Sequence, residues 1–445
     1  MQIDDKLFAR IQTFPYAVIS FVGDDGYPLS VATGFKTDAA AKLIEVDRES
    51  AEGIGLRPGS NVNLIVSHIR PRPGIGYDQR RYVQIWGSLQ ERDGRLVVKP
   101  TRAWGWDEAE TPFFEYSERS TEQGRRYFEE LSRERGEEVK PRLAFGWLAL
   151  RATRLPFLTA TIIPILLGIA IAAYDGDFNL WFAFVTLVGG AAVHLGLNVA
   201  NDVFDTLSGA DDANVNPTQF SGGSRVIQYG LVSLKQMATM AGVFYLIAAA
   251  VGIYLVIARS SLELFFIGLA GIIVSLAYTA PPLKLVYRGF GEIAVAVGFG
   301  PLMVLGAYVV QTEQLSWEAL VASIPVAILI ALVLYINEIP DRKGDALAGK
   351  RTLPVRWPAD VITNIYLGAV VVAFLVILVG GVSGTLPLTS LIALLAFPLA
   401  WRVYTGVRTY YNSPYELMAP MATNIQLHAA AGLLLFAGYL IATAL

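Results

Sequence analysis

The sequence has no cysteine, few histidines and few charged residues. Of its 445 residues none is cysteine and three are histidine, and only 16% are charged, against about 25% in an ordinary soluble domain. The lack of cysteine excludes disulfides, thiolate catalysis and cysteine-ligated metals. A formal net charge of −3 gives no reason to expect a nucleic-acid partner. Hydrophobic residues are in excess, at 54% of the chain.

Charge and hydrophobicity are distributed unevenly along the chain. Residues 1–145 carry frequent Arg, Glu and Asp, whereas residues 150–445 contain long runs of Leu, Ile, Val, Ala and Gly. We therefore predict a soluble domain over 1–145 and a membrane domain over 150–445. The N-terminus is polar and has no signal-peptide core, so the apolar stretch that starts near Leu155 is expected to act as the internal insertion signal.

The soluble part has the pattern of short strands. Turn signals occur at Gly23-Asp24-Asp25-Gly26 and at Arg92-Asp93-Gly94. From Ser117 to about Glu138 the pattern becomes helical and highly charged. Short, regularly spaced strands followed by one helix predict a small antiparallel β-barrel. The predicted strands are Tyr16–Val22, Pro28–Phe35, Leu43–Val46, Val62–His68, Arg81–Gly87 and Arg95–Lys99.

The apolar runs after Leu155 have the length that crosses a lipid bilayer, about 20 residues for roughly 30 Å of hydrocarbon. We predict an all-α polytopic membrane bundle of about nine transmembrane helices. The predicted spans are 155–174, 180–201, 235–258, 262–279, 290–311, 317–338, 360–381, 385–403 and 420–443.

Lys and Arg are unevenly distributed between the connecting loops. The loops after even-numbered spans hold eleven of these residues, whereas the loops after odd-numbered spans hold only Arg259. Positively charged loops stay in the cytoplasm. We therefore predict a multi-pass protein of the cell (inner) membrane, with the N-terminal domain and the even-numbered loops in the cytoplasm.

Two polar clusters end the second and the sixth span, at the side predicted to be cytoplasmic. The spacing in each cluster, three or four residues, places its members on one helix face. Pro340 lies within the second cluster and predicts a kink or a break there. The first cluster consists of Asn198, Asn201, Asp202 and Asp205, and the second of Asn337, Asp341 and Asp345.

Carboxylates at the ends of apolar helices cost a few kcal/mol each, so two such clusters indicate a function. Oxygen-only clusters match Mg²⁺, which binds carboxylates, water and phosphate oxygens. Two facing clusters could clamp a diphosphate through metal ions, and basic loop residues would neutralise the leaving group. We predict ionisation of an isoprenoid diphosphate and capture of the allylic carbocation by an electron-rich acceptor. The basic residues nearby are Arg225, Lys284, Arg288, Lys350 and Arg351.

Other interpretations of these residues are open. A polytopic transporter would carry its acidic coupling residues in mid-span, whereas these lie at span ends. A CDP-alcohol phosphotransferase would need a denser Asp/Gly motif on adjacent spans. Any single cluster residue could be a plain interfacial residue, and any single basic residue a topology signal. His194 and His428 are interpreted as buried packing residues and are left out of the site.

Three segments carry a resemblance to a known family. They are Asn198-x-x-Asn201-Asp202-x-x-Asp205, Tyr278-Thr-Ala-Pro-Pro-Leu-Lys284 with Glu292, and Asn337-Glu338-x-x-Asp341-x-x-x-Asp345 with Lys350-Arg351-Thr352-Leu353. Residues 150–445 resemble the UbiA superfamily of intramembrane prenyltransferases, and within it the menaquinone branch, which prenylates 1,4-dihydroxy-2-naphthoate. One segment departs from that branch, since Phe220-Ser-Gly-Gly-Ser224-Arg225 stands where a Gly-Pro-x-Arg type segment is expected. The acceptor therefore stays open.

The resemblance implies Mg²⁺-dependent transfer of a prenyl group from a polyprenyl diphosphate to a small, aromatic, quinone-precursor-like acceptor, with release of diphosphate. It also implies a role for each matching residue. Asp202, Asp205, Asp341 and Asp345 would be Mg²⁺ ligands and catalytic, Asn198, Asn201 and Asn337 would support substrate binding, Arg225, Lys284, Lys350 and Arg351 would contact diphosphate, Tyr278 would line the acceptor pocket, and Glu292 would position or deprotonate the acceptor.

The N-terminal domain carries a second, weaker resemblance. Its residues Pro15–Ser20, Asp25–Pro28, Ala32–Lys36, Gly59–His68 and Arg81–Gly87 are similar to FMN-binding split barrels of the pyridoxamine-phosphate-oxidase type. The resemblance implies an FMN site, and a flavin-dependent reductase domain would make the protein bifunctional. The alternative is a flavin-free interaction or regulatory domain. The residues available for a flavin phosphate are Lys36, His68, Arg70 and Arg81.

Overall fold

The chain forms two compact units in the computed structural model, which describes residues 3–71, 77–140, 144–214 and 217–445. The units are Met1–Ser117 and Glu118–Leu445. Their boundary falls within the charged helix Phe113–Arg135, which the sequence analysis assigned wholly to the first domain. The domain limits 1–145 and 150–445 stay a prediction.

The first unit contains a seven-stranded antiparallel sheet in the order β2-β1-β5-β6-β7-β4-β3. Strands β2 and β3 lie at opposite edges of this order, yet only Gly34 connects them, so the sheet must curve until its edges approach each other. The strand-rich, barrel-like form is therefore confirmed, without showing that it is a split barrel. The elements are α1 (Asp5–Ile11), β1 (Ala17–Val22), β2 (Pro28–Thr33), β3 (Phe35–Asp38), β4 (Leu43–Val46), α2 (Arg48–Gly53), β5 (Asn61–Pro71), β6 (Tyr77–Arg92) and β7 (Arg95–Asp107).

Alternation of apolar residues explains the core of this sheet. Val62, Leu64 and Val66 of β5 are all buried, because alternate side chains of a strand point to one face. Helix α1 covers that face with Leu7 and Phe8, both almost fully buried. The six predicted strands are present. The four-residue β3 was missed, and β6 and β7 are longer than predicted because they form one long hairpin.

The second unit is helical. Among the described residues, eight helical segments are long and apolar enough to cross a membrane, namely Leu180–Ser208, Leu234–Arg259, Leu262–Thr279, Gly291–Thr312, Trp317–Leu347, Ala359–Ser383, Leu388–Tyr410 and Met418–Ala444. The helices are α3 (Phe113–Arg135), α4 (Phe145–Ala152), α5 (Thr159–Tyr174), α6 (Leu180–Ser208), α7 (Ala210–Ala213), α8 (Leu234–Arg259), α9 (Leu262–Thr279), α10 (Gly291–Val297), α11 (Met303–Thr312), α12 (Trp317–Leu347), α13 (Leu353–Arg356), α14 (Ala359–Ser383), α15 (Phe397–Tyr410) and α16 (Met418–Ala444).

The predicted count of nine spans is not confirmed, and the difference lies in the first span. Its residues form a 3-10 turn, Leu155–Leu158, followed by α5 with 16 residues. At 1.5 Å per residue α5 is ~24 Å long, less than the roughly 30 Å of a bilayer core. Helix α5 is nevertheless packed closely among its neighbours, since a Cβ at Gly168 would stand 2.3 Å from the carbonyl oxygen of Val304 in α11.

Helix α12 carries the second polar cluster on one continuous helix. It runs from Trp317 to Leu347 through Pro325 and Pro340, so of the kink or break predicted at Pro340 the break is absent. A proline removes one backbone donor, and in a membrane bundle neighbouring groups can bond to the carbonyl that this frees. Ile336, before the cluster, and Ile339, between Asn337 and Asp341, are fully buried. The second cluster therefore keeps one helix face, as its spacing indicates.

Candidate functional site

A polar cavity of about 100 Å³ lies where the C-terminal ends of α6 and α12 meet. Residues of both predicted clusters line it, so the structure brings the two clusters together. The predicted site residues in its wall are Asn201, Asp205, Tyr278, Asn337, Asp341, Asp345 and Lys350.

Lys350 links the two clusters electrostatically. Its Nζ donates to Asp205 Oδ2 at 3.0 Å and lies 3.6 Å from Asp345 Oδ1. Burial by itself would lower the pKa of Lys350, but the neighbouring carboxylates outweigh it and raise the pKa. Lys350 therefore stays charged and carries the positive charge between carboxylates from two different helices.

The loop from Ser221 to Ser224 links the clusters a second time, through its backbone. The N–H of Ser224 donates to Asp202 Oδ2 at 3.1 Å, and the N–H of Gly222 donates to Asp341 Oδ2 at 2.9 Å. Asn214 Nδ2 donates to the other oxygen of Asp341 at 2.8 Å. The segment that departs from the expected family pattern is thus the one that binds both clusters.

Asp202 lies behind the cavity wall. It is almost fully buried and accepts from Arg154 Nη2 at 3.4 Å. Asn198 Nδ2 donates to the carbonyl of Thr153 at 3.1 Å and so holds the chain next to Arg154. Arg154 itself lines the cavity. The sequence does not mark Arg154 as a site residue, because a lone arginine before an apolar run belongs to no motif.

Asp211, which the predicted site residues do not include, is a second additional residue of the cavity wall. It belongs to the short helix α7, is buried and lines the cavity. Burial raises the pKa of Asp211 well above its usual range, and the charges of Asp205 and Asp202 add to that effect. Its Oδ2 has no hydrogen-bond partner within the described part of the chain. The sequence showed an acidic residue after the first motif but no periodicity that placed it.

Tyr287 does not line the cavity, but it contacts Asp205 in the cavity wall and two more predicted residues, Lys284 and Arg351. Its hydroxyl donates to Asp205 Oδ1 at 2.8 Å, and Lys284 Nζ lies 5.0 Å from the centre of its ring. The backbone N–H of Arg351 donates to the Tyr287 carbonyl at 2.9 Å, while the Arg351 side chain is exposed. Lys284 and Arg351 therefore lie near the site but outside the cavity wall.

Arg225, predicted to contact diphosphate, has other partners. Its buried guanidinium donates to Glu118 Oε2 at 2.9 Å and to the backbone carbonyl of Asp211. The Tyr229 hydroxyl also donates to Glu118. Arg225 is not among the residues that line the polar cavity. In this arrangement it stabilises the loop that carries Asp211.

An apolar cavity of about 520 Å³ lies next to the polar one. Helices α6, α8, α9, α10 and α11 contribute its walls, and Tyr278 lines both cavities. His194 also faces it, bonded to Thr161 Oγ1 at 2.6 Å and packed edge-on against Phe299. His194 is thus a buried, hydrogen-bonded packing residue, as the sequence indicated. A long apolar tail could occupy this cavity while its polar head lies beside the carboxylates.

The residues fit Mg²⁺ bound together with a phosphate ligand. The acidic donors are all oxygens, and Asp211 offers an unpartnered buried one. Across the described ranges there is no group of three His, Cys, Asp or Glu side chains arranged to hold a metal ion. Mg²⁺ commonly uses only one or two carboxylates, with water and substrate phosphate oxygens filling the rest. The donor set therefore fits Mg²⁺ only with a phosphate ligand to complete its coordination.

Two of the four residues proposed for a flavin phosphate, Arg70 and Arg81, have other contacts. Arg70 binds Asp78 through two hydrogen bonds of 2.7 and 2.8 Å. Arg81 lies opposite His68 across the β5–β6 pair and stacks over the ring of Phe14 at 4.9 Å. Lys36 is exposed on the edge strand β3. These contacts give no support to FMN binding, which stays a prediction.

Comparisons with known proteins identify the family of the membrane unit. Residues 161–441 match the UbiA prenyltransferase family. The chain is 28% identical over 296 residues to a 2-carboxy-1,4-naphthoquinone phytyltransferase of Synechocystis, covering 66% of this chain and 92% of that protein. It is 32% identical over 251 residues to a 1,4-dihydroxy-2-naphthoate octaprenyltransferase of Mycobacterium tuberculosis, covering 56% and 82%.

A solved structure is also similar. It is a UbiA homologue from Archaeoglobus fulgidus bound to DMAPP and Mg²⁺, with a TM-score of 0.49 and 14% identity, covering 65% of this chain and 99% of that one. The family match covers more than half of the chain and includes both polar clusters. This chain is therefore a multi-pass membrane protein that belongs to the UbiA prenyltransferase family.

Proposed function

We propose that this chain transfers a prenyl group from a polyprenyl diphosphate to a small dihydroxy-aromatic quinone precursor, with release of diphosphate and dependence on Mg²⁺. One observation carries the proposal. Carboxylates from α6 and α12 line a single polar cavity, and that cavity adjoins an apolar one through Tyr278. A lipid diphosphate has the same two parts, a charged head and an apolar tail.

The acceptor class is inferred from the named relatives. Both relatives described above carry names that refer to a naphthoquinone or naphthoate substrate. The loop Ser221–Ser224 differs from the pattern expected for that branch, and its residues Ser221, Gly222 and Gly223 lie in the wall of the polar cavity. We therefore propose a naphthoate-type acceptor as the first candidate and other dihydroxy-aromatic acids as the second.

The chain's own residues would carry most of the reaction. Asp205, Asp341 and Asp345 would hold Mg²⁺, with Asp202 as a further predicted ligand, and Mg²⁺ when bound supplies Lewis-acid polarisation of the diphosphate. Lys350 and Arg154 line the cavity and place positive charge beside the departing diphosphate. The apolar cavity keeps water away from the allylic carbon, so that the acceptor captures it.

The orientation is part of the proposal. The Lys and Arg residues of the loops support a cytoplasmic position for the polar cavity and for the N-terminal unit. Residues 1–145 would then form a cytoplasmic domain attached to a prenyltransferase domain over 150–445.

The experiment uses the full chain, purified in detergent and returned to lipid vesicles. We expect prenylated product, detected by mass spectrometry, from 1,4-dihydroxy-2-naphthoate and at least one of a series of prenyl diphosphates. EDTA should abolish product and added Mg²⁺ should restore it. Asp205→Asn and Asp341→Asn should each lower the rate by roughly 10²-fold or more, as loss of preorganised electrostatic stabilisation does.

Asp360→Asn is the matched control, since Asp360 is an exposed aspartate in the first turn of α14, and it should keep the wild-type rate. Full activity of both Asp205→Asn and Asp341→Asn, or product formation that EDTA does not reduce, would contradict the proposed function.

A further inference from the structure

Glu338 is a buried carboxyl group in the site to which no role is assigned so far. It follows Asn337 on α12, is 5% exposed and lines the polar cavity. Neither of its carboxyl oxygens has a hydrogen-bond partner among the residues that the structure describes. A buried carboxylate without donors loses its hydrogen bonds to water and gains none from the protein, which costs free energy. A ligand that donates a hydrogen bond would remove that cost.

Glu292 lies beside Glu338. It stands in the first turn of α10, and its carboxyl group is in contact with that of Glu338. The two carboxyl groups can share a single proton, and no other donor reaches Glu338 among the described residues. The remaining negative charge of the pair is therefore left for a ligand to bind. Lys350 is near, but Asp205 and Asp345 already hold its Nζ at 3.0 and 3.6 Å.

The position of Glu338 relative to the two cavities indicates which ligand would donate a hydrogen bond to its carboxyl group. Tyr278, the residue that lines both cavities, lies close to Glu338. If the diphosphate lies in the polar cavity and the tail in the apolar one, the bond that breaks lies at their junction. The acceptor carbon must reach the same place, and with it the hydroxyl group of the acceptor ring.

We propose that Glu338, with Glu292 beside it, binds a phenolic hydroxyl of the acceptor and takes its proton during transfer. The inference rests on the proposed function, and it identifies the residues that bind the acceptor, which is the nucleophile of the reaction. A buried carboxylate needs a hydrogen-bond donor. This pair therefore selects a ligand that carries hydroxyl groups over one that carries only ether oxygens.

The step balances as follows. The phenolic proton passes to a Glu338 oxygen, and the O–H electron pair moves into the ring. The ring carbon forms a bond to C1 of the prenyl group, and the C1–O bond breaks with its electrons leaving on diphosphate. The product is a ring ketone. It returns to the aromatic phenol by losing hydrogen as a proton, or a carboxyl group as CO₂, from the alkylated carbon, and the oxygen regains the proton from Glu338.

The test measures steady-state kinetics of Glu338→Gln and Glu292→Gln with 1,4-dihydroxy-2-naphthoate as acceptor. General-base catalysis contributes roughly 10²–10⁴-fold, so we expect kcat/KM for the acceptor to fall by about 10²-fold or more in Glu338→Gln. The Kd for prenyl diphosphate and the Mg²⁺ concentration for half-maximal rate should stay within about twofold of wild type. A changed Mg²⁺ requirement with unchanged acceptor kinetics would overturn the inference and make Glu338 a metal-site residue.

The control is Glu318→Gln on the same helix. Glu318 lies in the first turn of α12, at the other end from the site, and accepts a 2.8 Å hydrogen bond from Tyr439. Its replacement should leave acceptor kinetics unchanged. Wild-type kcat/KM for the acceptor in Glu338→Gln would overturn the inference while leaving the proposed function intact.

A second measurement uses the wild-type protein and does not depend on any variant folding. The two mono-O-methyl ethers of 1,4-dihydroxy-2-naphthoate keep the ring and each remove one donor. We expect at least one ether to react far more slowly than the diol with wild type, and Glu338→Gln to lose this discrimination. If wild type prenylates both ethers as fast as the diol, the inference is wrong. If wild type prenylates none of the three, the proposed acceptor class is wrong.

Discussion

At the scale of single residues, Lys350 shows how the site holds opposite charges together. It is buried between carboxylates from α6 and α12, and the Tyr287 ring lies 4.9 Å from its Nζ. Removing one partner of a buried ion pair leaves an uncompensated charge and costs about 3–5 kcal/mol. In the proposed function, the same charge would be available to a diphosphate when Mg²⁺ is bound by the carboxylates.

Lys350→Gln is therefore expected to lower kcat by roughly 10²-fold or more and to raise KM for prenyl diphosphate. Lys350→Arg keeps the charge and should recover part of the rate. Lys343→Gln removes an exposed lysine near the end of α12 and serves as the control. Size-exclusion chromatography of each variant would show whether it folds, and wild-type kinetics in a folded Lys350→Gln protein would argue against this role.

The residues that sequence analysis found differ from those it missed in a physical respect. The residues found from the sequence lie at helical spacing within their clusters, at the ends of apolar runs, and this pattern predicts them as site residues. They include Asp205, Asp341 and Asp345. Arg154 and Asp211 reach the cavity only because of how the chain turns outside the membrane-spanning helices. No periodicity marks such residues, since their positions depend on tertiary contacts.

At the scale of elements, the membrane helices were predictable and the loop between α7 and α8 was not. Length and hydropathy place the starts of the helices within a few residues, because a bilayer sets both. The polar ends of α6 and α12 extend beyond the predicted ends at 201 and 338, to Ser208 and Leu347. The loop depends on backbone conformation instead. Gly222 and Gly223 have φ of +77° and +75°, which L side chains rarely adopt, and this shape directs two N–H groups to the carboxylates.

Gly223→Ala tests this loop against a matched glycine. A Cβ at Gly223 would lie 2.9 Å from Asp211 Oδ1, whereas one at Gly230, with φ of +69°, would meet nothing within 4 Å. Both substitutions carry the backbone cost of a left-handed residue, roughly 1–2 kcal/mol. Only Gly223→Ala should also displace Asp211 and lower kcat/KM for prenyl diphosphate, by about tenfold or more. Equal kinetics of the two variants would contradict the importance of this loop.

At the scale of the whole molecule, the chain joins a strand-rich unit to a membrane unit that belongs to a known family. The match to that family begins at residue 161. The predicted orientation depends on the charges of the loops, and the cysteine-free sequence makes it directly measurable.

Single cysteines at Gln314 and Lys235, both exposed, report the two sides of the membrane. A membrane-impermeant maleimide added to intact cells should label Gln314→Cys and should label Lys235→Cys only after permeabilisation. The positive charge in the loop before α8 is the reason for this expectation. Labelling of Lys235→Cys in intact cells would reverse the orientation and place the polar cavity outside.

The central claim is that carboxylates on two helices act on one lipid diphosphate, and a double-mutant cycle on binding tests it most directly. The Kd of a prenyl diphosphate is measured in the presence of Mg²⁺ for Asp205→Asn, Asp341→Asn and the double variant, with Asp205→Asn plus Asp360→Asn as the additive control pair. We expect each site substitution to weaken binding and the two losses to deviate from additivity by about 0.5–3 kcal/mol, as groups in one network do. Losses that add to within about 0.5 kcal/mol, as in the control pair, or no loss in either single variant, would contradict it.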